Sequence, residues 1–468
     1  VCSNVVTSFV SLMSSVSVEI ESIPVGWFHV KHLLKKFFAL TVFAQANEMT
    51  PYLFPGLKEE FGIDSDEQAL LASAAQGGTL LGAVITALTI DKFGRRSLML
   101  VALPIASVLF FLGPLAQNIE LLCFLRFLQC AMSNIALMSI STWYVEFLPA
   151  RGRGSLMAAI TPGWPIGRGV VILFAGWFSP QWRPLFGLGG VGLLVLFIVM
   201  LTAEESPRFL ESKGKVAEAN RILEEIRAQN GAAKDTSREA ERSYGPEEGA
   251  ESDAHLTFYD RATILFGTSH VNLSFSIVIF TVLACTTVLL DTWGPRVWQL
   301  ILSPGSSELP DSALQVFNMG DLAGTILAIF ISDRIGRKGA FMIGFWVQGL
   351  MYAALSTLVS YHHASWLVTF GFLAGFCRCF AWEAACFWTL EAFRTEVRGT
   401  AFCFCQVVMR LLSIITLQVS GHMISGMPPK TFLGCTSAAF FLGGVVVVVG
   451  MPMETANMPL AEGDKRSK

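Results

Sequence analysis

Acidic side chains lie inside long apolar stretches of this 468-residue sequence. A charge at the centre of a bilayer costs at least about 2.5–3.5 kcal/mol on insertion scales, so each one needs a reason. Glu48 and Asp321 lie roughly 22 and 18 Å inside their stretches at the helical rise per residue. We therefore expect both to bind substrate and to carry protons. The alternative is structural: Glu48 would pair with Asn47 or a base, and Asp321 would make a packing hydrogen bond.

Arginines occupy similar positions. Arg168 lies roughly 20 Å into its stretch among prolines and glycines, so we expect it to contact substrate or to pair with Glu48 or Asp321. Arg410, roughly 17 Å deep, is expected to bind an anion or to pair with an acid. Arg126 lies roughly 10 Å from one end of its stretch, where a structural pair and proton coupling through a neighbouring acid are both open.

Another stretch combines charge with aromatic rings. Arg378 and Glu383 are five residues apart, so they do not share a helix stripe. The aromatic residues around them, Trp382 among them, could stack on a planar solute, and plain packing is the alternative. The candidate substrate-binding residues are Gln45, Glu48, Arg126, Arg168, Asp321, Arg378, Glu383 and Arg410.

Several classes of chemistry are not indicated. The ten cysteines show no His-Cys spacing typical of zinc, and we expect neither a metal nor a cofactor. We find no nucleophile-base set, so an enzyme is not expected. The formal net charge of -3 gives no indication of nucleic-acid binding.

Composition indicates a membrane protein. The chain is 53% hydrophobic and 15% charged, with a mean hydropathy of +0.55. A helix of about 20 apolar residues crosses the hydrocarbon core, and about twelve stretches meet that length. The predicted spans are 33–54, 68–90, 97–116, 119–143, 155–178, 184–202, 268–291, 312–332, 339–361, 364–389, 399–421 and 430–451.

A polar hexapeptide occurs twice between such spans. Asp91-Lys92-Phe93-Gly94-Arg95-Arg96 is repeated 242 positions later as Asp333-Arg334-Ile335-Gly336-Arg337-Lys338. A second pair of segments, Glu146 with Arg153 and Glu391 with Arg398, repeats at an offset of 245. Parallel repeats are typical of two-bundle transporters. We expect an all-α membrane protein with twelve helices in two pseudo-symmetric six-helix bundles.

The repeat also predicts the division of the chain and a gate. An acid at a helix C-terminus is unfavourable against the helix dipole, so Asp91 and Asp333 should face positive partners. We expect two charge clusters that bridge the halves and latch the outward-open state. Simple anchoring by positive loops explains the basic residues but not the repeated acid. The predicted gate residues are Asp91, Arg95, Arg96, Glu146, Arg153, Asp333, Arg334, Arg337, Glu391 and Arg398.

The predicted regions are a lead-in 1–32, a bundle 33–202, a linker 203–267 with an amphipathic helix, a bundle 268–451 and a tail 452–468.

These motifs resemble the major facilitator superfamily. The twin turns resemble its loop motif, and Glu205-Ser206-Pro207-Arg208-Phe209-Leu210 resembles its sugar and organic-ion branches. The lead-in 26–31 with Glu48-Met49 is most similar to the synaptic vesicle glycoprotein, beside the organic cation and anion transporters. The outer loop 55–67 is shorter than in the organic-ion transporters. The resemblance implies alternating access around a midplane site.

We accordingly expect a secondary transporter of a small charged organic solute, with an organic anion preferred, moved together with H+. A sugar or polyol carrier of the same fold, and a non-transporting vesicle-protein-like receptor, stay open as alternatives. Basic loops favour the cytoplasm, which places both termini there. We expect a monomer in the lipid bilayer of the plasma membrane or a vesicle.

Overall fold

A computed structural model shows the chain as a bundle of α-helices and describes residues 15–149, 153–231, 258–267, 269–305, 309–361, 364–393 and 395–455. The helices of the first half and the linker are α1 (Ser15–Ser22), α2 (Trp27–Glu48), α3 (Thr50–Phe61), α4 (Ser65–Phe93), α5 (Arg95–Leu112), α6 (Ile119–Glu146), α7 (Arg153–Ala158), α8 (Gly163–Phe178), α9 (Arg183–Met200), α10 (Pro207–Ser212) and α11 (Val216–Asn230). Those of the second half are α12 (Phe258–Gly267), α13 (His270–Leu283), α14 (Leu289–Leu302), α15 (Asp311–Met342), α16 (Gln348–Leu358), α17 (Ala364–Ala392), α18 (Thr395–Ile424) and α19 (Pro429–Gly450).

Eleven segments in the described part are long and apolar enough to span a membrane. The first predicted span, 33–54, is divided between α2 and α3. It is not among the eleven because α3 is short and α2 carries several charged residues, among them Lys31, Lys35 and Lys36. The remaining predicted spans correspond to the eleven segments. Helix α15 contains parts of two spans, because the chain turns at Gly336, where the φ angle is 74°.

The break between α2 and α3 has a local cause. Pro51 lacks an N–H, so the carbonyl oxygen four residues before it has no helical donor. The guanidinium of Arg126 fills this gap. Its Nη2 donates to the carbonyl oxygens of Ala46 at 2.6 Å and Asn47 at 3.2 Å, and its Nε donates to the Thr50 hydroxyl. Arg126 is fully buried, so these bonds satisfy a charge that would otherwise be unpaired in the bundle.

Two pairs of helices approach each other closely at glycines, and the pairs repeat. A Cβ on Gly78 or Gly82 in α4 would lie 2.0 or 2.4 Å from a backbone oxygen of α6. A Cβ on Gly320 or Gly324 in α15 would lie 2.1 or 2.0 Å from a backbone oxygen of α17. Small residues allow helix backbones to pack closely in a membrane. The positions are again 242 apart, so the two halves share one packing scheme.

Contacts between the halves run from the middle of the bundle to the end opposite the twin turns. Helix α4 packs on α18, α8 on α15 and α3 on α14. Hydrogen bonds along the first of these pairs join Gln76 to Arg410 and Ser73 to Gln418. At the far end, Arg296 donates to the Ser65 hydroxyl. These contacts hold the halves together on that side.

The linker helix α11 packs against the chain's N-terminal segment. Its buried residues include Ile222, Leu223 and Ile226, and α1 and the start of α2 lie against it. Asn230 at its end accepts from the backbone N–H of Phe28 and donates to the Pro24 carbonyl. Helix α11 is therefore attached to the first half.

Candidate functional site

Arg168 lies at the centre of a buried ionic cluster that joins the halves. Its Nη1 is 2.7 Å from Oδ2 of Asp321, and its Nε is 3.4 Å from Oε2 of Glu48. Its Nη2 is 3.7 Å from Oδ1 of Asp291. The indole of Trp164, one turn earlier on α8, donates to the other oxygen of Glu48 at 2.9 Å. Of the two structural alternatives for Arg168, pairing with Glu48 and pairing with Asp321, the structure contains both.

Arg378 supplies the second cation of the cluster. Its Nη2 is 2.8 Å from Oδ2 of Asp291, and its Nη1 is 3.7 Å from Oδ2 of Asp321. Two guanidinium groups thus face three carboxylates, which leaves one carboxylate in excess when all are ionised. Arg168 comes from the first half, whereas Arg378, Asp291 and Asp321 come from the second. Opposite charges brought together from two bundles couple the positions of those bundles.

The sequence prediction missed Asp291. The predicted seventh span ends at this residue, so its carboxylate was treated as the boundary of the membrane segment. The helical chain in fact continues from α13 through a π-helical turn, Ala284–Val288, into α14 and ends at Leu302. The signal that could have identified Asp291 is that apolar residues continue after it, with Trp293, Val297 and Trp298 two, six and seven residues later.

A cavity opens beside the cluster. Its charged wall is formed by Glu48, Arg168, Asp291 and Arg378. The rest of its lining is mainly apolar and aromatic, and includes Tyr52, Ile172, Trp298, Phe317, Tyr352 and Phe432. A charged end with apolar walls is the form expected of a site for a small amphipathic solute.

Four other predicted site residues lie away from this cavity wall. Arg126 holds the broken helix described above. Gln45 faces α9, where a Cβ on Gly192 would lie 3.1 Å from its Oε1. Glu383 is buried beside Thr161 of the other half, and Arg410 donates to Gln76 of the other half at 2.6 Å.

The first of the twin turns is held by contacts within its own half. Arg95 is 2.8 Å from Glu146 and 3.0 Å from Asp91, which is highly exposed. Gly94, with φ of 92°, allows the chain to turn into α5. The backbone N–H of Arg96 at the start of α5 donates to the carboxylate of Glu205 at 3.1 Å. A carboxylate is favoured at a helix N-terminus by the dipole and the free N–H groups.

The second turn repeats this arrangement. Arg337 is 2.6 Å from Glu391, and its backbone N–H donates to Glu454 at 2.8 Å. The Trp388 indole donates to the carbonyl of Met453, just as the Trp143 indole donates to that of Glu204. The role of Glu454 as the counterpart of Glu205 was not predicted, although it follows the last span as Glu205 follows the sixth.

The predicted bridging clusters are not seen in these contacts. Each described ion pair at the turns lies within one half. In the first half Arg95 pairs with Asp91 and with Glu146, and in the second half Arg337 pairs with Glu391. Arg334 is exposed. The side chains of Arg153, Asp333 and Arg398 lie outside the described part of the chain.

Comparisons with known proteins follow this geometry. The family model for "Sugar (and other) transporter" matches residues 33–465. The 4-hydroxybenzoate transporter PcaK of Acinetobacter baylyi is 29% identical over 182 residues, which are 38% of this chain and 40% of that protein. This match therefore spans less than half of the relative's length. The cis,cis-muconate transport protein of the same organism is 22% identical over 88% of this chain and 91% of that protein.

Two further likenesses cover nearly the whole chain. The Caenorhabditis elegans protein named svop-1 is 23% identical over 93% of this chain and 84% of that protein. A partially occluded inward-open structure of the xylose transporter XylE from E. coli superposes with a TM-score of 0.72 at 18% identity, over 92% of this chain and 99% of that chain. This last likeness shows the fold.

Proposed function

The chain belongs to the Sugar (and other) transporter family of the major facilitator superfamily, and on that premise we propose that this multi-pass membrane transporter carries a small organic anion together with a proton. The observation that carries the proposal is the cluster of two arginines and three carboxylates, shared between the halves beside an apolar cavity. Proton coupling would use a carboxylate of this cluster, with Glu48 and Asp321 as the candidates predicted from sequence.

The cluster supplies a physical reason for coupling. An entering carboxylate would compete with a side-chain carboxylate for a guanidinium of Arg168 or Arg378. The displaced side chain would then be an unpaired buried anion, which is strongly unfavourable. Uptake of one proton by that side chain removes the charge. Anion entry and proton uptake thus favour each other, as binding linkage requires.

The relatives support an organic acid as the solute. The names of two of them refer to 4-hydroxybenzoate and cis,cis-muconate. Both are carboxylates with an unsaturated carbon frame, which suits a site with guanidinium groups at one end and apolar walls. A sugar or polyol is the second candidate, favoured by the family description and by the 30% identity to an inositol transporter over 297 residues. A non-transporting receptor is the third.

The test is uptake by purified protein in liposomes. Initial rates are measured with the interior more alkaline than the exterior and without a gradient, for 4-hydroxybenzoate, muconate, an organic cation, xylose and inositol. Protein-free liposomes provide the correction for weak acids that cross lipid unaided. We expect saturable uptake of the acids that the gradient stimulates. Gradient-insensitive uptake of xylose or inositol would favour the second candidate, and absence of uptake and of binding for every solute would favour the third.

A pair of matched variants connects the activity to the cluster. Arg378→Gln is expected to reduce acid uptake at least about tenfold, because a bond to a charged group contributes about 1.5–3 kcal/mol. Arg183→Gln is the control, since Arg183 also pairs with a carboxylate, Glu60, but at the exposed end of α9. Equal uptake by the two variants would contradict the placement of the site.

We also propose the orientation and assembly predicted from sequence. The twin turns and both termini face the cytoplasm, the bundles are 33–202 and 268–451, and the protein acts as a monomer. Support for the orientation comes from the basic residues of the turns. The turn residues then act as the latch of the outward-open state, formed when the halves approach on that side. In Asp91→Asn the labelling rates of cysteines in the cavity should change, because loss of the latch alters the populations of the outward-open and inward-open states.

A further inference from the structure

We propose that Asp291 is the carboxylate that the substrate replaces, and that Asp291 takes up the coupled proton. This rests on the proposed function and assigns one residue within it. The sequence predicted Glu48 and Asp321 for the proton, whereas the geometry favours the third acid.

The three acids differ in how firmly they are held. Glu48 accepts from both Trp164 and Arg168, and its side chain is 12% exposed. Asp321 has a 2.7 Å contact with Arg168 and is 8% exposed. Asp291 has one short contact, 2.8 Å to Arg378, and is 27% exposed to the cavity. Asp291 and Asp321 thus have one short arginine contact each, but of these two only Asp291 lines the cavity and its side chain has the most access to water, so Asp291 is the easiest of the three to displace.

The position of Asp291 also matches that of a bound carboxylate. Its two oxygens point at different arginines, with Oδ2 near Nη2 of Arg378 and Oδ1 3.7 Å from Nη2 of Arg168. At 3.7 Å the second contact is too long for a hydrogen bond, and Nη2 of Arg168 is a buried donor with no partner. A substrate carboxylate between the same two nitrogens would satisfy it.

The local backbone places Asp291 there. The π-helical turn Ala284–Val288 ends three residues before it, and the hydroxyls of Thr286 and Thr287 donate to carbonyl oxygens of the preceding turn. A π turn adds one residue to the helix and so changes which face the following side chains occupy; such turns are frequent at functional sites. The π turn therefore changes the face of the helix on which Asp291 lies, and its carboxylate is directed at the cluster.

The exchange balances in atoms and charge. One proton from the aqueous phase that supplies the substrate bonds to a carboxylate oxygen of Asp291, and the bond from Arg378 to that carboxylate breaks. The substrate carboxylate accepts bonds from Arg378 and Arg168 in its place. The groups facing Asp291 are Arg168 from α8, Arg378 from α17, Glu48 from α2, Asp321 from α15, and the phenols of Tyr52 from α3 and Tyr352 from α16. Net charge in the cluster is unchanged by the combined step.

Proton uptake on binding is the direct test. Purified protein in weakly buffered detergent solution is mixed with 4-hydroxybenzoate while an indicator dye reports pH. The wild type should take up about one proton for each anion bound, because one carboxylate is neutralised. Asp291→Asn should take up close to none while still binding, whereas Glu48→Gln should keep the uptake. An uptake that persists in Asp291→Asn, or that disappears in Glu48→Gln with binding intact, would overturn the assignment.

A transport measurement and a conservative variant complete the test. In liposomes Asp291→Asn should exchange labelled for unlabelled anion, but its net uptake should lose the stimulation by a pH gradient. Asp291→Glu, which restores a titratable group, should recover both proton uptake and stimulation even if Asp291→Asn folds poorly. Failure of the wild type to bind or transport any acid would reject the proposed function itself. A wild type stimulated by the gradient, together with an Asp291→Asn that is also stimulated, would reject only the role of Asp291.

Discussion

The central cluster and the twin turns are both built from arginine and carboxylate, yet they connect different parts of the molecule. At the turns, Arg95 and Arg337 pair with glutamates of their own half, and backbone N–H groups complete each arrangement. In the centre, Arg168 of the first half pairs with acids of the second. The turns therefore stabilise each bundle internally, whereas the cluster ties the bundles together.

The difference identifies which ion pairs can change during transport. A turn pair joins helices of one half, so the pairs seen here can persist while the halves move relative to each other, and the proposed latch would be formed by additional contacts across the halves. The cluster lies between the bundles and holds one more carboxylate than it has guanidinium groups. We propose that its pairing depends on protonation and on a bound anion, so that a solute at the cluster would alter how the two halves fit together. The predictions below test this distinction.

The largest expected effect is at Arg168. Removing one partner of a buried pair leaves an uncompensated charge and costs about 3–5 kcal/mol. Arg168→Met should therefore lower the thermal unfolding temperature in detergent and abolish uptake. Arg183→Met, at an exposed pair, should change stability by less than about 1 kcal/mol. Similar stability of the two variants would show that the central cluster does not hold the halves together.

The interface between α4 of the first half and α18 of the second should separate when a larger side chain is introduced. A Cβ on Gly421 in α18 would lie 2.6 Å from Cβ of Ala69 in α4, so Gly421→Leu should force these helices apart at a cost of about 1–3 kcal/mol. Spin labels at Glu59 and Lys430, on the two halves at this end, should report a longer distance. Gly426→Leu is the control, because a Cβ there meets nothing within 4 Å. Unchanged distances in Gly421→Leu would mean that the packing of α4 on α18 does not hold the two halves together at this end.

Double-mutant cycles should show that the two turns contribute independently to the free energy of unfolding. Arg95→Gln and Glu146→Gln share one ion pair, so their effects on unfolding free energy should be non-additive by about 0.5–3 kcal/mol. Arg95→Gln and Glu391→Gln belong to different halves and should add within about 0.3–0.5 kcal/mol. A coupling across the halves as large as the coupling within one would show that the proposed latch is already formed in the purified protein.

The smallest expected effect is a pH response outside the membrane. Burial raises the pKa of the Glu204 carboxyl to about 7, and the neighbouring Glu225 carboxylate acts in the same direction. The unfolded chain would release this proton near pH 4.5, so the stabilising contribution is present below that value and is lost as pH rises through about 7. Amide protection of α11, corrected for intrinsic exchange, should be lower at about pH 7.5 than at pH 5.5.

Variants check this response. Glu204→Gln carries no titratable group and should show equal protection of α11 at both pH values. Glu218→Gln, which removes an exposed carboxylate from the same helix, should behave like the wild type. If Glu204→Gln kept the pH dependence, another group would be responsible.

Much of the fold could be predicted because it depends on short-range properties. The all-α membrane class and the superfamily, both confirmed, follow from apolar lengths and from the repeated turns. The interruption of the first span at Met49 was not predicted, because Pro51 and the Arg126 guanidinium act together across distant segments. A hydropathy count cannot represent a side chain that satisfies the carbonyls of another helix.

The candidate site could be predicted only in part. Glu48, Arg168, Asp321 and Arg378 stand out in the sequence because charge is costly in an apolar stretch, and the structure brings all four together. The same criterion selected Arg126 and Arg410, whose hydrogen bonds go to backbone, hydroxyl or amide oxygens outside the cluster. Depth in a helix can be counted from sequence, but the direction of a side chain and its partner cannot.

By itself, the sequence determined the membrane class, the two-fold repeat and the short list of buried charges, since each depends on composition and spacing along one chain. The tertiary structure decided which charges meet. It brought Asp291 into the cluster through a π-helical turn, kept the turn pairs within each half, and placed Glu454 opposite the second turn. These outcomes depend on distances between helices far apart in the chain, and no local pattern contains them.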